Sequence, residues 1–240
     1  MIDLFWLDGT FTGPGSRSVA SEAVRAALDP RVFDFHYVEY PAAFGPATRP
    51  GDPSMASSAL DGAVAMREAV EATDRLAVVG GYSQGAIAAR WFLDDLPAWP
   101  ELEVLGYGSI GDPHTARHSG RSGISGPRGL SVPGNVVWAP GDPIADLLDG
   151  SPLRTVADVT DYMSIRSIED AAVWANDVWQ DLTDQRVQAW WQPWRWNGLA
   201  DALGAITRYW PGTNHTTDYQ KGGWSALLAA RLNERYAGVA

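Results

Sequence analysis

The sequence predicts an α/β domain with a mainly parallel central sheet flanked by helices. Short apolar runs alternate with longer stretches of helical period through the first half of the 240-residue chain. Those runs are too uniformly apolar for strands with one wet face, and buried parallel strands have that character. Turn residues such as Gly, Pro and Asp close most of them, as strand ends require.

The elements follow in order. Residues 2–7 (IDLFWL) read as the first strand, ended by Asp8-Gly9-Thr10 and a loop containing Gly13-Pro14-Gly15. Ser18 is the expected N-cap of a helix through Leu28, with Glu22 near its positive end. Residues 33–40 form the next expected strand, stopped by Pro41. After a loop rich in Pro and Gly, Leu60, Ala63, Met66 and Val70 recur at helical spacing and predict a helix over 57–72. Residues 76–80 are a buried-type strand running into Gly81-Tyr82-Ser83-Gln84-Gly85, with a helix to about Phe92. Strands are expected over 104–107 and 135–139, separated by a long loop that includes 114–133. The second of these opens into Gly141-Asp142-Pro143.

Beyond Asp142 the texture changes. Ile168, Ala171, Ala175, Val178, Trp179, Leu182, Trp190 and Trp194 recur mostly at steps of three and four, and Leu199, Leu203 and Ile206 continue the pattern. This predicts a helical insertion over 160–212. The main domain is then 1–159 with 213–240, closed by a helix over 224–236.

Composition narrows the function. A net charge of −11 without a basic stripe excludes nucleic acid as the expected partner. The absence of cysteine removes disulfides and thiolate metal sites, which is compatible with a reducing compartment. No spacing of ligand residues suggests a metal, and no cofactor is expected. The N-terminus lacks a basic region followed by a long apolar run, so synthesis in the cytoplasm without a signal peptide is expected. No apolar stretch is long enough for stable membrane insertion. A monomer is expected.

The chemistry is carried by Gly-x-Ser-x-Gly at Gly81 to Gly85. Set between an apolar strand and a helical pattern, it predicts a sharp turn that holds Ser83 in a strained, exposed conformation. The following helix aims its N–H groups at the site, and the Gln84 N–H becomes an oxyanion donor. A serine hydroxyl needs a base to remove its proton. On this fold the order along the chain is serine, acid, histidine. Of the four histidines, His36 lies within a strand pattern, and His114 and His118 precede any acid on the next strand. His215, in the loop before the last helix, fits the order. Asp112 and Asp142 both follow strands, but Asp142 follows the second strand after the nucleophile, where the fold places its acid; Asp146 is the fallback. The Thr10 backbone N–H, after the first strand, is the expected second oxyanion donor.

Eight of the twelve tryptophans lie after residue 170. Helical spacing assigns most to packing, yet Trp190, Trp191, Trp194 and Trp196 are too crowded for one buried face. Trp190, Trp191 and Trp194 are therefore expected to contribute to a lipid groove or lid beside the catalytic loop.

Gly80-Gly81-Tyr82-Ser83-Gln84-Gly85-Ala86 followed by Ala139-Pro140-Gly141-Asp142-Pro143-Ile144 resembles the cutinase group of serine esterases. Within that group the chain most resembles the lysin B enzymes of mycobacteriophages. The resemblance covers most of 1–150 and the region of His215. It implies a cutinase-like α/β-hydrolase with Ser83, Asp142 and His215 as triad, and Thr10 and Gln84 as oxyanion hole. The implied reaction is hydrolysis of the ester joining mycolic acids to arabinogalactan, at the envelope of mycolate-bearing actinobacteria during lysis. Two positions depart from the pattern: Ala145 stands where secreted cutinases have cysteine, and Asp8 where lysin B often has histidine. Two other readings compete. One is a cutinase-like lipase or esterase acting on polyesters or acylglycerols; the other is a catalytically silent binding module, against which the intact triad speaks.

Overall fold

The computed structural model of the chain describes residues 1–45, 48–151, 154 and 215–239. The expected insertion over 160–212, with Trp190, Trp191 and Trp194, lies outside the described residues. So does the boundary that would separate it from the main domain.

Strands and helices alternate as far as β4, after which three strands follow: β1 (Ile2–Leu7), α1 (Val19–Ala27), β2 (Phe33–Tyr37), α2 (Met55–Glu71), β3 (Ala77–Tyr82), α3 (Gln84–Asp95), β4 (Val104–Ile110), β5 (Arg121–Ser122), β6 (Gly134–Val137) and β7 (Leu147–Leu148). After the undescribed stretch come α4 (Thr217–Lys221) and α5 (Trp224–Tyr236). Five strands form one sheet in the order β2-β1-β3-β4-β6, with parallel pairing throughout.

Every residue of β1 and of β3 is buried, which is why both read as mainly apolar runs, with Asp3 the one charged residue in either. Their alternate side chains feed two cores. Ile2, Leu4, Trp6 and Val78 join α1 and α5 on one face, where Leu228 and Leu232 are wholly buried. Phe5, Leu7, Ala77 and Val79 join α2 and α3 on the other, against Met66, Ile87 and Phe92. Burying each of those large side chains contributes about 1.5–3 kcal/mol. Ser18 caps α1 by accepting the Ser21 N–H at 3.0 Å, as expected.

Strand limits differ from expectation where glycine is involved. Strand β3 runs two residues past Gly80, because Gly81 and Tyr82 remain paired with Ser109 and Ile110 of β4. Strand β4 likewise continues to Ile110, its Gly108 facing Leu232 and Leu228 of α5. In both, glycine marks close packing rather than a turn. Strand β2 stops at Tyr37, earlier than Pro41 suggested. Part of the loop over 114–133 is also ordered into β5, which pairs antiparallel with β7.

The strand order reverses between β1 and β3: the chain leaves β1 outward to β2, then returns to β3 on its other side. Such a switch point leaves a crevice beyond the carboxyl ends of the two strands. The loop carrying Thr10 follows β1, and Ser83 follows β3. Among the described residues, no helix is long and apolar enough to cross a membrane.

Candidate active site

Ser83 occupies the turn between β3 and α3 with φ 56° and ψ −122°, a region unfavourable for a residue with a Cβ. The flanking glycines allow it. A Cβ on Gly81 would lie 2.4 Å from the Gly85 carbonyl carbon, and one on Gly85 would lie 2.1 Å from the Leu7 oxygen. Both obstacles are backbone and cannot swing aside. Gly85→Ala should therefore cost about 3 kcal/mol of stability, the upper end for overpacking, and disable the turn, as thermal unfolding and ester hydrolysis would read.

The histidine chosen from chain order reaches this serine. His215 Nε2 accepts from the Ser83 hydroxyl at 2.8 Å, while His215 Nδ1–H donates to the Asp142 oxygens at 2.8 and 2.9 Å. Asp142 is wholly buried and His215 nearly so. Tyr82 lies beneath the imidazole, ring centroids 5.2 Å apart and stacked, and its hydroxyl donates to the His215 carbonyl. The acid is fixed by its own loop and by α4: the Ile144 N–H donates to Oδ1 at 2.8 Å, and the Tyr219 hydroxyl donates to Oδ2.

The rival acids are engaged elsewhere. Asp112 pairs with the buried Arg90 guanidinium at 2.8 Å and accepts from Tyr107 and Ser109 hydroxyls and the His114 N–H. Asp146 takes His118 and Arg121, and its second oxygen accepts the Gly141 N–H at 2.6 Å, bracing the loop of Asp142. The remaining histidines are structural too. His114 bonds the Gly126 carbonyl, and burial holds its imidazole below the ordinary histidine range. His118 packs on Trp138, and His36 stacks on Phe5.

The two expected oxyanion residues are neighbours. Thr10 Oγ1 lies 3.5 Å from Gln84 Oε1, and the Gln84 amide nitrogen donates to Ala43 and Met55 carbonyls at 2.7 and 3.2 Å. A Cβ on Gly9 would come within 3.3 Å of the Ser83 Cβ, so the Thr10 loop runs against the serine. Gln84 opens α3, where the first backbone N–H groups lack helical acceptors.

In the sequence Asp8 reads as a strand ending and as a departure from the lysin B pattern. It proves to be a buried staple: it accepts the Gly9 N–H at 2.8 Å, and the Ser18 N–H, Ser18 hydroxyl and Ser21 hydroxyl at 2.7 Å each. Tyr40 donates to its carbonyl at 2.6 Å. These bonds shape the loop that presents Thr10. The signal was Asp8 followed ten residues later by a serine N-cap, too remote for a local turn rule.

At the opposite end of the sheet Asp3, Asp34 and His36 bring ligand-type atoms within 4.8 Å of one another. The Arg75 guanidinium lies 3.1 Å from Asp3 and 3.2 Å from Asp34, so one cation is shared by the two carboxylates. Burial acts to raise the Asp3 carboxyl, but bonds from Thr73, His36 and Arg75 outweigh it and hold it below the usual range.

The solved structure of lysin B from Mycobacteriophage D29 superposes with a TM-score of 0.57 at 18% identity, covering 96% of this chain and 98% of that one. The two share an α/β-hydrolase fold, a mainly parallel sheet flanked by helices. Two further structures are similar over shorter spans. They are a cutinase-like protein from Cryptococcus sp. (TM-score 0.42, 19% identity, 75% of this chain and 90% of that) and the catalytic core of acetyl xylan esterase from Trichoderma reesei (0.41, 20%, 60% and 84%). The sequence profile of the PE-PPE domain family matches residues 33–133. No curated protein matches the sequence.

Proposed function

We propose that the protein is a serine esterase with Ser83 as nucleophile, His215 as general base and Asp142 as the acid that orients it. The observation that carries this is the unbroken chain of short hydrogen bonds from Ser83 through His215 to a buried carboxylate. With Nδ1–H committed to Asp142, Nε2 is the acceptor that can take the serine proton. As Ser83 Oγ attacks an ester carbonyl, His215 becomes an imidazolium facing Asp142. The negative charge moves to the carbonyl oxygen, where the Gln84 and Thr10 N–H groups would receive it. His215 then protonates the leaving alcohol. Water, deprotonated by the same histidine, hydrolyses the acyl-enzyme and restores Ser83.

The natural substrate in this reading is the ester joining mycolic acids to arabinogalactan, cleaved at the cell envelope when a phage lyses its host. The resemblance of the Ser83 and Asp142 motifs to lysin B supports it, as does a shared fold spanning nearly the whole length of both chains. The test is release of mycolic acid from purified mycolyl-arabinogalactan, measured beside hydrolysis of p-nitrophenyl butyrate. Release by the native protein and none by Ser83→Ala is the expected result. Hydrolysis of the short ester with no release from the envelope polymer would favour an esterase or lipase of the cutinase type acting on other esters.

A further inference from the structure

Tyr219 lies four residues beyond His215, as the third residue of α4, so the short segment that delivers the base also delivers this phenol. It is wholly buried, edge-on to the His215 ring at 6.2 Å and to the Tyr82 ring at 5.9 Å. Its oxygen accepts the Ala139 N–H at 3.3 Å, which leaves the hydroxyl proton directed at Asp142 Oδ2.

The need for such a donor follows from the surroundings of the acid. Asp112 is balanced by Arg90, and Asp146 by Arg121. Asp142 is equally dry, yet among the described residues its only ionic partner is His215, the base itself rather than a fixed cation. A buried carboxylate without a fixed cation stays charged through the hydrogen bonds it accepts. Asp142 accepts three: Ile144 N–H on Oδ1, the Tyr219 hydroxyl on Oδ2, and His215 Nδ1–H between them. Burial, followed by the charge of Asp142, pushes the Tyr219 phenol well above its ordinary range, so it remains a donor.

We propose that Tyr219 is a positioning residue of the reaction, whose hydroxyl fixes the Asp142 carboxylate and shares its charge so that the bond to His215 keeps its direction. The proposal rests on the triad reading above. Tyr219→Phe keeps the ring and removes only the donor. On p-nitrophenyl butyrate, kcat should fall about tenfold with KM changed by less than about twofold, because the bond counts most when the imidazolium forms. The far-downfield proton resonance of His215 Nδ1–H should move. In an Asp142→Asn background, Tyr219→Phe should cost nothing further, since Tyr219 acts through that carboxylate.

An unchanged kcat would overturn the proposal. So would an equal loss in both backgrounds, or a lowered melting temperature with the resonance unmoved. Should the phenylalanine variant not fold, 3-fluorotyrosine placed at 219 strengthens the donor with little change of shape, and an unmoved resonance there overturns the proposal as well. If Asp142→Asn alone keeps full activity, it is the triad reading that fails, and this assignment with it.

Discussion

Ser83→Ala should lower kcat for ester hydrolysis by on the order of a million-fold while leaving the fold in place. Losses of that size accompany removal of a triad nucleophile, because attack on the carbonyl then has no substitute atom. The geometry adds a structural argument. Ser83 is held at positive φ, and its hydroxyl donates to His215, but neither core depends on the side chain. Alanine carries the same Cβ into the same turn, so the melting temperature should move by only a few degrees. Retention of more than a few per cent of activity with p-nitrophenyl butyrate would remove Ser83 from the reaction.

Asp142→Asn and Asp112→Asn should separate catalysis from stability. Both carboxylates are fully buried at loops following sheet strands, yet they face different partners. The Asp142→Asn change would turn an amide toward His215 Nδ1 and favour the wrong imidazole tautomer, which costs about ten-thousand-fold in serine proteases. Its effect on unfolding should be modest. At Asp112 the loss falls on Arg90, whose buried guanidinium would face a neutral amide, with Tyr107, Ser109 and His114 rearranging around it. Breaking a buried pair in this way costs about 3–5 kcal/mol. Asp112→Asn should therefore unfold at markedly lower urea while the folded fraction keeps near-normal kcat. An inactive but stable Asp112→Asn would reverse the assignment of the acid.

Much of this site is legible in the sequence, for physical reasons. Gly81 and Gly85 announce the turn because no other residue fits beside the Leu7 and Gly85 backbone, and they bracket the serine in sequence. Asp142 and His215 can be chosen because chain order along a parallel sheet fixes which loops meet at its carboxyl edge. What sequence does not supply are partners brought together by the fold. Asp8 gathers Ser18 and Ser21 across a loop, and Tyr219 meets Asp142 across 77 positions. Neither leaves a periodic trace. Gly80 and Gly108 mislead in the other direction, since their small size serves strand and helix packing rather than a chain reversal.

The most direct test of the central claim is covalent labelling of the resting protein with a fluorophosphonate ester, followed by peptide mass spectrometry. An activated serine attacks phosphorus, displaces fluoride and keeps the phosphonyl group, whereas an ordinary hydroxyl does not react on that timescale. The account predicts one adduct per chain, on Ser83, that forms far more slowly in His215→Ala. No adduct at Ser83, or equal labelling of Ser83 with and without His215, would contradict it.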